Sequence, residues 1–170
     1  MYQTIVYSSP LGPLLLAAEE NQLKGLWIEG QKYYAAALPE GCEQRETPLL
    51  TSVCRWLDSY FAGENPDPKH IPLAPAGSAF RQIVWGILRE IPYGQVTTYR
   101  EVARQAAQKM GRQSMSAQAV GGAVGHNPIS ILIPCHRVIG SDHSLTGYAG
   151  GLEKKRWLLE LEGAVVLERF

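Results

Sequence analysis

Apolar runs broken by turn residues occupy the first third of the chain. The segments TIVYSSPLGPLLLAA and QLKGLWIEG are punctuated by Pro and Gly, a pattern that predicts short strands with antiparallel pairing. The next segment, LLTSVCRWLDSYFAG, has helical spacing and ends at Gly63. Its apolar positions are Leu50, Val53, Leu57, Tyr60 and Phe61. Cys54 falls on or beside this apolar face, so we expect it to serve in packing.

Prolines become dense after this helix. The segment ENPDPKHIPLAPAG contains Pro66, Pro68, Pro72 and Pro75. Proline at that density excludes a helix and favours a stiff linker. We therefore predict a domain boundary here, with one domain over residues 1–76 and a second over 77–170.

The second domain begins with two predicted helices. The segment SAFRQIVWGILREIPYG begins with Ser78, a candidate N-cap, and carries an unbroken apolar stripe. Pro-Tyr-Gly ends this helix. Thr98, with Glu101 three residues later, matches a capping box at the start of TTYREVARQAAQKMG. Both segments are therefore predicted to be amphipathic helices.

A third predicted helix is built almost entirely from Ala, Gly and Val. The segment SAQAVGGAVGHNP has Ser116 as its N-cap candidate and halts at Asn127-Pro128. Two adjacent glycines weaken a helix by roughly 1 kcal/mol each relative to alanine, so propensity does not explain them. Two explanations stay open: tight packing against another helix, or close approach of something such as the floor of a DNA groove. Together with the preceding helix, it resembles a helix-turn-helix.

Two further segments complete the predicted fold. ISILI is a buried β run that leads into Pro134-Cys135-His136, and LEKKRWLLELEG is a helix. Its spacing directs Leu158 and Leu161 inward, with Trp157 near the same face. The predicted class is α+β, with an N-terminal α/β domain that has a small antiparallel sheet. The C-terminal domain is expected to be mostly helical, with a winged-helix-like helix-turn-helix.

Composition and charge narrow the function classes. No apolar run approaches membrane-spanning length and the N-terminus lacks an export signal, so we expect a soluble, cytoplasmic protein. Three widely spaced cysteines, with no CxxC pair and no HxxxH pair, argue against disulfides and a zinc site. The net charge is zero, yet residues 1–79 carry −4 and residues 80–170 carry +4. Any polyanionic partner should therefore meet the second half.

The dipeptide Cys135-His136 is the candidate reactive centre. Cysteine is a strong nucleophile only as the thiolate, which a histidine helps to generate. Side chains of adjacent residues diverge in both strands and helices, so a bridging water is a more natural proton relay than direct contact. A carboxylate would be the usual group to orient the imidazole. An accidental Cys-His dipeptide is the alternative that adjacency alone leaves open.

The segments around Cys135 closely resemble the O6-alkylguanine-DNA alkyltransferases, which repair DNA by direct reversal. The resemblance covers residues 80–163 and is carried by NPISILIPCHRVIG, TGYAGG and KKRWLLELEG. SPLGPLLLAAE and LDSYFAG also resemble the family's N-terminal domain, less distinctively. The resemblance implies a single SN2 transfer of an alkyl group from guanine O6 to the protein.

The resemblance also implies the catalytic residues. Cys135 would be the nucleophile, His136 would act through a water as its base, and Glu162 would hold His136. Asn127 would brace the turn between the recognition helix and the active-site strand. Tyr99 would press on the phosphate beside the lesion and donate to the guanine as it leaves.

Further residues are implied for the pocket and for DNA. Those expected to line the pocket are Tyr148, Ala149 and Val138. Arg137 is expected to hold the fold together rather than to touch DNA. Those expected on the DNA-binding helix are Ala117, Gln118, Ala119, Gly121 and Gly122.

The sequence departs from the family's pattern at the DNA-binding helix. Most members carry an arginine that fills the gap left by the flipped base, and Gln118 stands at that position. Gly125 replaces another arginine of some members. The spacing from Tyr99 to Gln118 is longer than in several members, so the intervening segment QKMGRQSMS is either a longer turn or an extension of the first helix. It carries Lys109 and Arg112, which either contact phosphate or are solvated surface charges.

The expected product is a thioether that no neighbouring residue could hydrolyse, so one protein should repair one base. No Gly-rich nucleotide loop appears, so we expect no cofactor, and no metal. The expected partner is double-stranded DNA containing O6-alkylguanine, with O4-alkylthymine as a further candidate. We expect no membrane association and a monomer. The alternatives are a sensor of alkylated bases that recruits other repair factors without doing chemistry, and a Cys-His hydrolase.

Overall fold

The computed structural model describes residues 1–36, 38–142, 145, 148 and 151–164. Two compact units are present in it. The first runs from Met1 to Ala76 and also includes Pro128–Ser130. The second begins at Gly77, is interrupted after Asn127 and resumes at Ile131. No helix in the described part of the chain is long and apolar enough to cross a membrane.

A four-stranded sheet forms the first unit. Its strands are β1 (Gln3–Ser9), β2 (Gly12–Glu19), β3 (Gln22–Ile28) and β4 (Glu43–Gln44), in the order β3-β2-β1-β4. The first three pair antiparallel, as the turn residues predict. Glu20 and Asn21 both have positive φ, as a tight two-residue hairpin turn requires. The predicted antiparallel sheet is confirmed for these three strands, and β4 adds a two-residue parallel pair with β1.

Helix α1 (Pro48–Phe61) supplies the apolar helix of this unit. The side chain of Thr47 accepts a hydrogen bond from the Leu50 N–H at 3.2 Å and so caps it. Four of the five predicted apolar positions are buried, whereas Phe61 is half-buried. Phe61 instead stacks on Tyr7, with ring centroids 6.2 Å apart. Cys54 is half-buried on this helix.

The outer edge of β3 is paired by two irregular segments. The Leu23 N–H donates to the carbonyl of Pro72, and the Leu26 N–H donates to the carbonyl of Pro128, both at 2.8 Å. The Ser130 N–H returns a bond to the Leu26 carbonyl at 2.9 Å. These bonds satisfy backbone groups that an edge strand would otherwise leave open.

The second unit contains α2 (Ala79–Leu88), α3 (Tyr99–Lys109), α4 (Ala117–Gly125) and α5 (Leu152–Leu161). The three predicted N-caps are confirmed, since Ser78, Thr98 and Ser116 each accept from the N–H three residues later. Short strands β5 (Thr97–Thr98) and β6 (Val138–Ile139) pair parallel. The Trp85 indole N–H donates to the Ala123 carbonyl at 2.8 Å, which ties α2 to α4.

Two predictions are corrected in this part of the chain. ISILI is buried but is not a strand: Ile129 makes one isolated bridge to Leu26, after which the chain turns through Ile131 at φ 72°. A β-branched residue is strained at that φ, so the run cannot continue as a strand. In α5 the buried positions are Lys155, Leu158 and Leu159. Trp157 and Leu161, which are predicted on the inward face, are half-buried.

Candidate active site

Cys135 opens a 3-10 turn, Cys135–Arg137, that follows directly on Pro134. The Cys135 N–H donates to the Ile133 carbonyl at 2.7 Å, and the Arg137 N–H donates to the Pro134 carbonyl at 3.0 Å. Cys135, the predicted nucleophile, therefore lies on a tight turn and not at the end of a strand. Successive side chains of a 3-10 helix point about 120° apart, which keeps the thiol and the imidazole on different sides of the turn.

Asn127 holds this turn from the end of α4. Its side-chain amide is buried and donates to the Ile133 carbonyl at 2.9 Å. The amide also hydrogen-bonds the sulfur of Cys135. One side chain just after the end of α4 thus holds both the backbone and the thiol of the 3-10 turn.

His136 and Glu162 form a buried pair. Nε2 of His136 lies 2.7 Å from Oε2 of Glu162, and both side chains are fully buried. Glu162 caps the C-terminus of α5, and its Oε1 also accepts from the Gly94 N–H at 3.4 Å. Gly94 has φ 79°, and a Cβ there would lie 3.0 Å from the Glu162 carbonyl oxygen, so the close approach requires glycine.

The pair has a defined protonation state. Burial opposes the charged carboxylate, but His136 and Arg137 outweigh it and hold the pKa of Glu162 well below its usual range. Burial lowers the pKa of His136, against the opposing effect of Glu162. A neutral imidazole that donates from Nε2 has an acceptor lone pair at Nδ1. Nδ1 has no hydrogen-bond partner among the described residues.

Cys135 is a protonated thiol in this environment. Burial raises its pKa, while the Asn127 amide and the charge of Lys155 act in the opposite direction. The thiol therefore needs a base to become a nucleophile. The acceptor at Nδ1 of His136 is the group that can serve as one.

Lys155 is a buried cation beside the site that the sequence analysis missed. Its side chain is fully buried, with Nζ 5.7 Å from the ring centroid of Tyr99. Burial lowers its pKa to about 8, against a smaller raising effect of Cys135. The available signal was its position three and four residues before Leu158 and Leu159, on the buried face of α5.

Tyr99 is the first residue of α3 and is half-buried. Burial, and then the proximity of Cys135, raise its pKa, so the hydroxyl keeps its proton. Of the predicted pocket residues, Tyr148 is buried, and Val138 is fully buried in β6 opposite Thr97. Ala149 lies outside the described residues, so its predicted place in the pocket stays a prediction.

The outer face of α4 consists of small side chains. Ala117, Gln118, Ala119 and Gly122 are exposed, and Gly121 is half-buried. A Cβ built at Gly121 or at Gly122 would meet no atom of the described structure outside its own helix within 4 Å. Helix packing therefore does not require these glycines, and the explanation by close approach of an external partner is favoured.

Comparison with known proteins identifies the class and then the family. The model for the 6-O-methylguanine DNA methyltransferase DNA binding domain matches residues 79–164. The model for the ribonuclease-like domain of the same methyltransferases matches residues 1–75. The two matches are to the two domains of one class of protein, the 6-O-methylguanine DNA methyltransferases, and the α+β fold is as predicted. The chain belongs to the 6-O-methylguanine DNA methyltransferase family.

The similarity to known proteins covers most of the chain. The methylated-DNA–protein-cysteine methyltransferase of Haemophilus influenzae is 44% identical over 156 residues, covering 92% of this chain and 83% of its own. That of Methanosarcina acetivorans is 42% identical over 96% of this chain and 99% of its own. A crystal structure of Mycobacterium tuberculosis OGT in complex with DNA superposes with a TM-score of 0.79 at 41% identity. It covers 95% of this chain and 92% of that one.

Proposed function

We propose that this protein repairs O6-alkylguanine in double-stranded DNA by transferring the alkyl group irreversibly to the sulfur of Cys135. The observation that carries the proposal is the arrangement at the active-site turn. A buried thiol directly precedes a neutral histidine whose Nε2 is engaged by Glu162 and whose Nδ1 is available. Family membership and the relatives named above support the same reaction.

The first step is removal of the thiol proton. Nδ1 of His136 accepts it through a bridging water, because the two side chains diverge on the 3-10 turn. The imidazolium that forms is stabilised by the carboxylate of Glu162 at 2.7 Å. The positive charge of Lys155 and the amide of Asn127 stabilise the thiolate.

The second step is the displacement. The thiolate attacks the alkyl carbon, an S–C bond forms, and the bond from that carbon to O6 breaks. Tyr99 donates one proton to the departing guanine. The proton removed from Cys135 then restores the Tyr99 hydroxyl. The balance is one thiol consumed and one guanine restored. The product is a thioether, a chemically inert group, so the protein acts once.

DNA binding is proposed for the exposed face of α4. The alkylated base lies inside the duplex and must be flipped out, which costs a few kcal/mol. A helix of Ala and Gly allows close approach to the groove, and the side chain of Gln118 is long enough to fill the vacancy. It can hydrogen-bond the unpaired cytosine, although it brings no charge. The +4 balance of residues 80–170 favours this half for contact with the phosphates.

The proposal is tested by following O6-methylguanine in a synthetic duplex. The wild-type protein should remove the methyl group, Cys135→Ala should remove none, and Cys54→Ala is the matched control that should act as wild type. A non-catalytic sensor would bind the damaged duplex and leave the methyl group in place. Retention of activity by Cys135→Ala would refute the proposal.

A further inference from the structure

Arg137 makes more specific contacts than a residue that only fills space. Its Nε donates to Oε1 of Glu162 at 2.8 Å and its Nη2 donates to Oε2 at 3.0 Å. Its Nη1 donates to the Ile91 carbonyl at 2.6 Å, and its guanidinium carbon lies 5.8 Å from the ring centroid of Tyr93. The side chain is only 11% exposed. The carboxylate of Glu162 is therefore shared, because it binds both the guanidinium of Arg137 and the imidazole of His136, in addition to the Gly94 N–H.

This sharing changes the electrostatics at His136. A buried carboxylate with a histidine as its only partner favours a proton on the imidazole, because an isolated buried charge is costly. A carboxylate already paired bidentately with arginine is nearly neutral as a pair. The imidazole next to that pair gains less from becoming charged than it would gain beside a carboxylate without an arginine partner. It can still donate its Nε2 proton, which fixes the ring orientation and leaves Nδ1 as the acceptor.

We propose that Arg137 is a positioning residue that keeps the imidazole of His136 uncharged at neutral pH, so that Nδ1 can accept the proton of Cys135. The inference rests on the proposed function, in which His136 is the base. It assigns to Arg137 a role in the reaction in addition to its role in the fold.

The other groups around His136 act in known directions. Burial is the largest effect on the pKa of His136 and disfavours the charged imidazole; Glu162, from the end of α5, favours it, whereas Arg137 of the turn and Lys155 of α5 disfavour it. Cys135 is neutral as a thiol. Tyr99 on α3 and Tyr93 in the loop after α2 keep their protons, since burial is the largest effect on each and raises its pKa. Glu162 is thus the one charged group that favours protonation of His136 among those that act on it in the described structure.

The test compares single-turnover methyl transfer by wild type, Arg137→Met and Arg137→Lys between pH 5.5 and 9. Arg137→Met should raise the pKa of His136. The ratio of its transfer rate to the wild-type rate should therefore be at least about tenfold lower at pH 6.5 than at pH 9. Arg137→Lys keeps the charge but not the bidentate geometry, so it should lower the rate by the same factor at every pH. A purely structural role would give Arg137→Met a pH-independent loss, and that result would overturn the proposal.

NMR titration of the His136 imidazole tests the assignment without any alkyl transfer. Wild-type His136 should titrate below the ordinary value of 6.5 or stay neutral throughout, and Arg137→Met should titrate higher. Adding Glu162→Gln to Arg137→Met should reverse that rise. If Arg137→Met fails to fold, the wild-type titration decides, and a value above 6.5 overturns the proposal. A low pKa of His136 in a protein that transfers no methyl group would count against the proposed function and not against the role of Arg137.

Discussion

Replacing Lys155 by methionine should make the protein more stable and less active. The ammonium is fully buried, and its pKa is lowered from 10.5 to about 8 because burial disfavours the charged form. Methionine has a similar length and carries no charge. Burial of the charge on Lys155 thus costs stability, and the same charge favours the thiolate form of Cys135.

The size of the effect follows from the pKa. At about 1.4 kcal/mol for each pKa unit, the charge of Lys155 lowers the free energy of unfolding by about 3 kcal/mol wherever both the folded and unfolded states are protonated. The contact with the Tyr99 ring offsets ~0.5–1 kcal/mol, and methionine loses it. We therefore expect Lys155→Met to raise the free energy of unfolding at pH 7 by about 2 kcal/mol. With m-values of roughly 1–3 kcal/mol per molar urea, the midpoint should rise by about 1 M.

The sign of the pH dependence distinguishes this cause from improved packing. Between pH 8 and 10.5 the unfolded state binds more protons at this residue than the folded state does, so stability rises with pH in wild type. Lys155→Met lacks that rise, so its advantage should shrink as the pH approaches 10.5. Lys154→Met, a neighbouring substitution on the same helix at a half-buried position, is the matched control.

The assay is urea unfolding of reduced protein at pH 7 and pH 10, with single-turnover methyl transfer measured in parallel. Methyl transfer should slow in Lys155→Met, because the charge of the lysine, which the variant lacks, helps to lower the pKa of the Cys135 thiol. A stability difference that is the same at both pH values would refute the electrostatic reasoning. So would a variant that transfers methyl groups as fast as wild type.

Three further predictions concern DNA and the active-site turn. Gln118→Ala should slow repair of a duplex at least several-fold relative to the exposed control Gln113→Ala, and an equal single-turnover rate would exclude it from filling the vacancy. Neutralising Lys109 and Arg112 together should flatten the log–log salt dependence of duplex binding by up to about two units; an unchanged slope in a filter-binding titration would make them solvated surface charges. Asn127→Ala should cost about 0.5–1.5 kcal/mol in urea unfolding, because the buried Ile133 carbonyl loses one of its two donors, and should slow transfer as well.

Local signals explain the parts of the fold that the sequence predicts. The caps at Ser78, Thr98 and Ser116 each act on an N–H three residues away, so a short window contains both partners. The run 129–133 contains no such local signal. Its residues are buried, as their apolarity predicts, but pairing with Leu26 and the strained φ of Ile131 depend on the folded chain.

The candidate site shows the same difference between local signals, which the sequence displays, and contacts that depend on the folded chain. Cys135 and His136 are adjacent, so the sequence displays the reactive pair directly. Arg137 was predicted to be structural, and its sharing of Glu162 could not be inferred because the two residues lie 25 positions apart. The burial of Lys155 could not be predicted from its place on the apolar face of α5, because lysine is almost never fully buried.

The central claim is that the sulfur of Cys135 permanently takes one alkyl group from guanine in DNA. The most direct measurement is intact-protein mass spectrometry with peptide mapping after incubation with excess O6-methylguanine duplex. We expect a gain of one methyl group per protein, located on Cys135, with no further turnover when more duplex is added. An unmodified protein, a methyl group on Cys42 or Cys54, or continued turnover would contradict the claim.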